Sequence, residues 1–455
     1  MAGIWYIGSG GAARAIGALV TPIFTRLLTP EEYGLYPLYT SWLGVLSVIM
    51  TLELTGSTIY RGYQRYGDKK DEFTSCALGL IGSLFVVFCT LYFAFFDIFS
   101  KITGLNIKIS IFMVTEIFAS AIISLYIAKA KYEYRYHTVA ILNLISALLA
   151  PFGAVAFIFL TDIRAEARIY SSIISAVLLS LPIAIILLRS SSKLYDKNIW
   201  RYLFLRAIGL LPHYLATSLI LKSVEIGIGN SHGTDALGKY SIAMSIGMIL
   251  TVITGGLSSA LSPWILRRVR DGGFDKIKDL LLLCIKVISL VCLLILSFAP
   301  EVFSFLAPDS FHSALPSVYP LEISVILSFL AGSVMSGCTY YERSILTSVP
   351  SIISALVSIL LSTLVLPRMS YRISGILPLI CYLVLALLCS LLFKHFSGTY
   401  PISIRGLFTV LLPTLVYAFI LYLFRGVLIS RIFLALPPAF LLLLISKRTY
   451  QTIRE

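Results

Sequence analysis

The chain has 455 residues, of which 58% are hydrophobic and only 13% charged, against roughly half and about a quarter in soluble domains. That balance excludes a soluble globular protein, and no polar stretch exceeds about 20 residues, too short for a catalytic domain of ordinary size. The net charge of +14 is read as Lys- and Arg-rich cytoplasmic loops of a membrane protein, not as a nucleic-acid surface.

A spanning helix needs about 20 mostly apolar residues. By that criterion fourteen spans are expected, near 5–28, 36–60, 73–96, 108–129, 138–160, 169–188, 207–228, 240–266, 280–300, 319–341, 349–367, 375–393, 406–424 and 432–446. The last is short and contains Pro437-Pro438. These runs are continuous and longer than barrel strands, so the expected class is an all-α polytopic membrane protein. The first apolar run lacks a basic leader and reads as a retained helix rather than a signal peptide. All seven cysteines fall inside spans with no Cys-x-x-Cys pair, which argues against a disulfide framework or a zinc site. No cofactor motif is present: Gly8-Ser-Gly-Gly11 has no strand before it and no Gly-Lys-Ser/Thr after it.

With the N-terminus inside, twenty-three Lys and Arg residues fall on inside loops and ten on outside turns, so both termini are expected in the cytoplasm. The long basic loop Arg189 to Arg206 divides the chain into an N-terminal lobe at 1–195 (six spans), a C-terminal lobe at 196–395 (six spans) and a hairpin of two further spans at 396–455. A shift of 204 residues aligns Gly34, Tyr36, Ser41, Leu46, Val48 and Ile49 with identical residues from Gly238 to Ile253. Two such lobes would be parallel repeats in a pseudo-twofold arrangement.

Charges at membrane depth usually face a cavity or a partner. Arg14 lies about ten residues into the first span, near the bilayer middle at 1.5 Å per residue, with Gly10, Gly11, Gly17 and Ala18 on its face. A guanidinium there can bind phosphate oxygens bidentately, or it can pair with Glu53 or Glu116. Lys222 and Glu225 share one helix face; they either neutralise each other or serve a substrate. Glu53 and Arg61 sit two turns apart on the second span, and Glu116 is near the middle of the fourth. Glu53, Glu116 and Glu225 are candidates for coupling to H⁺ or Na⁺, each with an internal salt bridge as the plainer role. The five histidines are scattered, and no metal site is expected.

The run Arg26-Leu-Leu-Thr-Pro-Glu-Glu-Tyr-Gly-Leu-Tyr36, after a glycine-rich apolar helix, resembles the start of the polysaccharide exporters and O-antigen flippases of the multidrug/oligosaccharidyl-lipid/polysaccharide (MOP) superfamily. The resemblance implies two six-helix lobes around a cationic cavity. It implies alternating-access movement of an undecaprenyl-diphosphate-linked oligosaccharide across the bacterial cytoplasmic membrane, among membrane lipids and polysaccharide assembly proteins. Arg14 and Arg26 are carried over as diphosphate contacts, with Lys222 and Arg61 as further cavity cations. The seventh span departs from the pattern: Val224-Glu225 precedes Ile226-Gly-Ile-Gly229 where many exporters have Asp-Arg. The alternatives are a drug or cation antiporter of the same superfamily, a membrane polysaccharide polymerase or ligase, and a scaffold without transport. Basic Arg14 and Lys222 argue against the antiporter. The longest outside loop, Glu301 to Val318, is apolar-rich and lacks the acids and bases an enzyme would need.

Overall fold

The computed structural model describes the backbone of residues 2–190, 193–341 and 343–454, and the side chains of these residues other than 2–9, 14, 344, 404 and 446–454. These residues form sixteen α-helices joined by short turns, and no strand occurs among them. The chain divides into two compact units, Met1–Leu237 and Gly238–Glu455.

Unit 1 begins with α1 (Ala2–Leu27) and α2 (Pro30–Thr51). The gap of 29–35 expected between the first two spans shrinks to the two residues Leu28 and Thr29, because Thr29 and Glu32 form a reciprocal cap. The Thr29 N–H donates to Glu32 Oε2 at 2.8 Å, the Glu32 N–H donates to Thr29 Oγ1 at 3.3 Å, and Pro30 occupies the first helical position. The second span is not one helix. It stops at Thr51, passes through Leu52 (φ 50°) and Glu53 (φ 46°), and resumes as α3 (Ser57–Arg65). Left-handed backbone at two non-glycine residues costs on the order of 1–3 kcal/mol each. Inside a spanning segment such unwinding persists only where protein or a cavity satisfies the freed backbone groups.

The unit continues with α4 (Lys70–Ala94), α5 (Phe96–Thr103), α6 (Ile107–Tyr132), α7 (Tyr136–Leu160), α8 (Ala167–Ser190) and α9 (Lys197–Arg270). One core gathers Ile59 and Tyr63 of α3 with Phe73, Leu125, Leu187 and Leu203; a second gathers Tyr39, Tyr92, Met113, Ile117 and Ile169. On α7, Ile141, Ile145, Leu148, Phe152 and Phe159 are exposed, an apolar stripe at helical spacing that suits lipid.

In unit 2 the rest of α9 is followed by α10 (Phe274–Ser297), α11 (Ala299–Leu306), α12 (Leu315–Cys338), α13 (Ser344–Leu360), α14 (Ile376–Ser397), α15 (Ile404–Leu423) and α16 (Leu428–Arg454). The outside loop expected after Glu301 folds into α11 and a 3-10 turn over Asp309–Ala314. Pro437 and Pro438 lie inside α16 without ending it.

Eleven helical stretches among the described residues are long and apolar enough to cross a membrane. One of them, α9, has 74 residues, roughly 110 Å of helix against a hydrocarbon core of about 30 Å. Gly233, at φ 83°, breaks it into two arms, a conformation open to glycine because it has no Cβ; α9 thus supplies two spans. At 26 and 22 residues, α1 and α2 have spanning length but are rich in small and polar residues. Each of the fourteen expected spans thus falls on helix, eleven stretches meeting the length and hydropathy of a membrane crossing among the described residues, and the chain is an all-α polytopic membrane protein.

Candidate functional site

The polar groups of unit 1 concentrate where α2 and α3 pack against the first arm of α9. Lys222 Nζ donates to both oxygens of Glu225, at 3.1 and 2.9 Å, and the Ser41 hydroxyl of α2 donates to the same carboxylate. Glu225 is 8% exposed and Lys222 30%, so the pair is half sheltered, with the ammonium at its open side. Helix spacing of three residues joins the pair, and α2 approaches α9 closely beside it. A Cβ on Gly229 would meet Leu38 Cδ1 at 2.8 Å.

Farther along the same face, the Ser218 hydroxyl donates to the Gly44 carbonyl at 3.3 Å. Tyr214 then ties α9 to the break in the second span. Its hydroxyl donates to Ser57 Oγ at 2.8 Å and accepts from the Ser57 N–H at 3.2 Å. The Gly56 N–H donates to the Glu53 carbonyl at 3.1 Å. The break is thereby held by specific partners, while the Glu53 side chain has no hydrogen-bond or ion-pair partner among the described residues.

A second polar centre lies between α6, α7 and α8. Glu116 Oε2 accepts from the Tyr39 hydroxyl at 2.7 Å and Oε1 from the Ser172 hydroxyl at 2.6 Å. The carboxyl faces a cavity of ≈250 Å³ whose lining includes Ser120, Ser124, Ser146, Ser172 and Ser175. A carboxyl among hydroxyls is an oxygen-rich environment suited to a proton or a hard cation. No group of three or more His, Cys, Asp or Glu suited to a metal occurs among the described residues.

At the start of α8, the Arg168 guanidinium lies over the rings of Tyr36 (4.2 Å), Phe24 (4.7 Å) and Tyr33 (4.7 Å). A guanidinium against three aromatic faces is held by their quadrupoles. Nearby, Arg164 donates to the Leu27 carbonyl.

The expected site residues therefore divide. Lys222 and Glu225 come together; Glu116 finds hydroxyls rather than a cation; Glu53 sits at the helix break. Arg26 donates to the Pro22 carbonyl at 2.9 Å and Arg61 is exposed on α3. The Arg14 side chain lies outside the described residues. Sequence reasoning did not single out Tyr39, Ser41, Ser172 or Tyr214 as partners, nor Arg168 as a caged cation. In unit 2 it did not single out Glu322 of α12, which is fully buried with neither carboxyl oxygen hydrogen-bonded.

Residues 2–268, more than half of the chain, match the family profile described as polysaccharide biosynthesis protein. No curated protein matches the sequence. Among solved structures, the chain is similar to the lipid II flippase MurJ in an inward closed conformation, with a TM-score of 0.70 and 13% identity, covering 99% of this chain and 100% of that one. A multidrug resistance MATE family transporter of the MOP superfamily, in an inward-facing conformation, matches with a TM-score of 0.63 and 15% identity over 85% of this chain and 94% of that one. A MOP superfamily transporter from Pyrococcus furiosus matches with a TM-score of 0.60 and 15% identity over 86% and 94%. At these identities the likeness is one of fold.

Proposed function

Because the chain belongs to the polysaccharide biosynthesis protein family and has the fold of MOP-superfamily transporters, we propose that it flips an undecaprenyl-diphosphate-linked oligosaccharide across the bacterial cytoplasmic membrane. The chain is a multi-pass all-α membrane protein, and in this reading it is a transporter rather than an enzyme. A sugar diphosphate cannot cross about 30 Å of hydrocarbon unaided, so the protein must offer cations and polar backbone along the way. The observation that carries this reading is the α2–α9 face, where an ammonium, a carboxylate and an unwound segment of a spanning helix line up in one unit.

In this reading Arg14, Arg26, Arg61 and Lys222 meet the diphosphate in turn during alternating access, with both termini in the cytoplasm. Glu53, Glu116 and Glu225 are the coupling carboxyls. The Lys222–Glu225 pair gives coupling a physical route: a proton or Na⁺ taken by Glu225 removes the ammonium's partner and frees its charge for phosphate. Charge on the substrate and charge on the carboxyl then compete for one cation.

The test is flipping of defined lipid-linked oligosaccharides by the purified protein in vesicles, with and without H⁺ and Na⁺ gradients. Wild type should flip with gradient dependence. Glu225→Gln, which mimics the neutral acid, should flip without it. A wild-type protein that moves drug cations but no lipid-linked sugar would overturn the proposal in favour of an antiporter.

A further inference from the structure

The first three turns of α9 build a site that the flipping face does not use. Asn198, Arg201, Tyr202, Leu205 and Arg206 recur on one side of the helix and, with Arg65 and Tyr66 at the end of α3, line a cavity of ≈530 Å³. None of these lining residues is acidic. None of the three guanidiniums forms an ion pair among the described residues. The acids nearest in sequence are Asp68 and Asp196: Asp68 is exposed in the turn after α3 and makes no ion pair with Arg65, and Asp196 is spent on the helix start, its Oδ1 accepting from the Asn198 and Ile199 N–H groups at 2.9 and 3.0 Å.

Two details mark the cavity as more than a solvated basic face. Arg206 Nε is buried and has no acceptor, and a desolvated donor left unpaired is costly unless a ligand supplies the oxygen. The Arg65 guanidinium lies over the Tyr202 and Tyr66 rings, at 5.1 and 5.7 Å, which fixes its plane while leaving its N–H edge available.

Arg201 also lines a second, adjoining cavity of ≈390 Å³, otherwise mainly apolar, with Leu80, Leu84, Val87, Trp200 and Phe204. On its wall the Trp200 indole N–H donates to the Leu194 carbonyl at 3.1 Å. A polycationic chamber that shares an arginine with an apolar groove fits an amphiphile with an anionic head and a hydrocarbon chain. A soluble nucleotide would leave the groove empty. Three guanidiniums without a counter-acid match two linked phosphates better than one phosphodiester, since each fork can take a pair of phosphate oxygens.

We propose that this pair of cavities is a loading site on the membrane surface, where Arg65, Arg201 and Arg206 hold the diphosphate of the lipid-linked substrate and the groove takes its polyprenyl chain. The assignment rests on the flippase reading for the identity of that lipid. It concerns a station separate from the α2–α9 face, reached before translocation.

Native mass spectrometry of the delipidated full chain tests it, with undecaprenyl diphosphate, phosphatidylglycerol, cardiolipin and phosphatidylcholine as probes at equal concentration. The diphosphate should be retained about tenfold over phosphatidylglycerol, and Arg201→Gln/Arg206→Gln should lose that margin. Arg425→Gln, a basic residue of unit 2, should keep it. If the double variant does not fold, Arg201→Gln alone, at an exposed position, should shift retention in the same direction. Equal retention of phosphatidylglycerol or cardiolipin, or a margin unchanged in the variants, overturns the site. Binding is read without transport, so the two proposals fail separately: a wild type that flips but shows no margin loses only the loading site. One that holds the diphosphate through these arginines yet never flips it loses the proposed function.

Discussion

Glu116 and Glu225 in unit 1 each sit against hydroxyls, and Glu225 also against an ammonium, whereas Glu322 in unit 2 is enclosed with both oxygens unpartnered. Unit 2 does build a strong ion pair, but between α11 and the start of α16, beside the end of α10. There Arg431 reaches Glu301 through two bonds of 2.5 and 2.6 Å and the Ser297 carbonyl through a third of 2.8 Å. Unit 1 thus keeps exchangeable polar pairs along its helices, and unit 2 places its firm pair at a helix junction. The difference teaches which partner each pair cannot spare: in unit 1 the carboxylate is the sheltered member and the ammonium faces the opening, while in unit 2 the arginine is the buried member and fastens helices to a half-exposed carboxylate.

The largest effect should come from splitting the pair in unit 1. Lys222→Met leaves the Glu225 carboxylate sheltered without its cation and should cost about 3 kcal/mol, read as a lower melting temperature in detergent. Lys222→Met/Glu225→Gln should recover most of it. A single variant that melts like wild type would show that the pair is too solvated to matter and would erase the contrast.

Next in size is the fastening pair of unit 2. The Arg431 guanidinium holds the Glu301 carboxyl below the ordinary carboxylate range. A lowered folded-state pKa contributes stability that is fully present above the unfolded value of about 4.3 and is lost as pH falls through the lowered one. Arg431→Met should therefore cost about 2 kcal/mol at pH 7, with the gap to wild type narrowing in melts taken at progressively lower pH. A gap independent of pH would mean that packing, not charge, holds the junction.

The smallest effects should differ in sign. Tyr39→Phe removes one of two donors to Glu116 and should destabilise by about 1.5 kcal/mol. Glu322→Met, similar in volume, removes two unsatisfied oxygens and should stabilise by about 1 kcal/mol. Parallel thermal melts compare them. Loss of stability in both would mean that Glu322 has a partner as firm as those of Glu116.

The helices were legible in the sequence because twenty-residue apolar runs leave no other solution in lipid, whereas Thr-Pro-Glu-Glu reads as a turn and is instead the cap that starts α2. The break at Leu52 and Glu53 was not legible either, since Leu52 to Leu54 looks like any apolar turn and no glycine appears before Gly56. Lys222 and Glu225 could be paired by spacing alone. The partners of Glu116 could not, because Tyr39 and Ser172 lie 77 and 56 residues away. Arg168 looked like one more outside-turn cation, and only the folding of α1, α2 and α8 brings three rings around it. Glu322 falls near the start of its expected span, where an acid reads as a boundary residue rather than a buried one.

The interruption between α2 and α3 also has an electrical consequence. An unbroken helix would carry its terminal partial charges out to the two membrane surfaces. Here the partly negative carboxyl end of α2 and the partly positive amino end of α3 abut across Leu52–Gly56, each equivalent to about half an elementary charge. The segment therefore has a local field of both signs within a few residues. Cations are drawn to one lip of the break and anions to the other, beside the partly buried Glu53 carboxyl that the break itself carries.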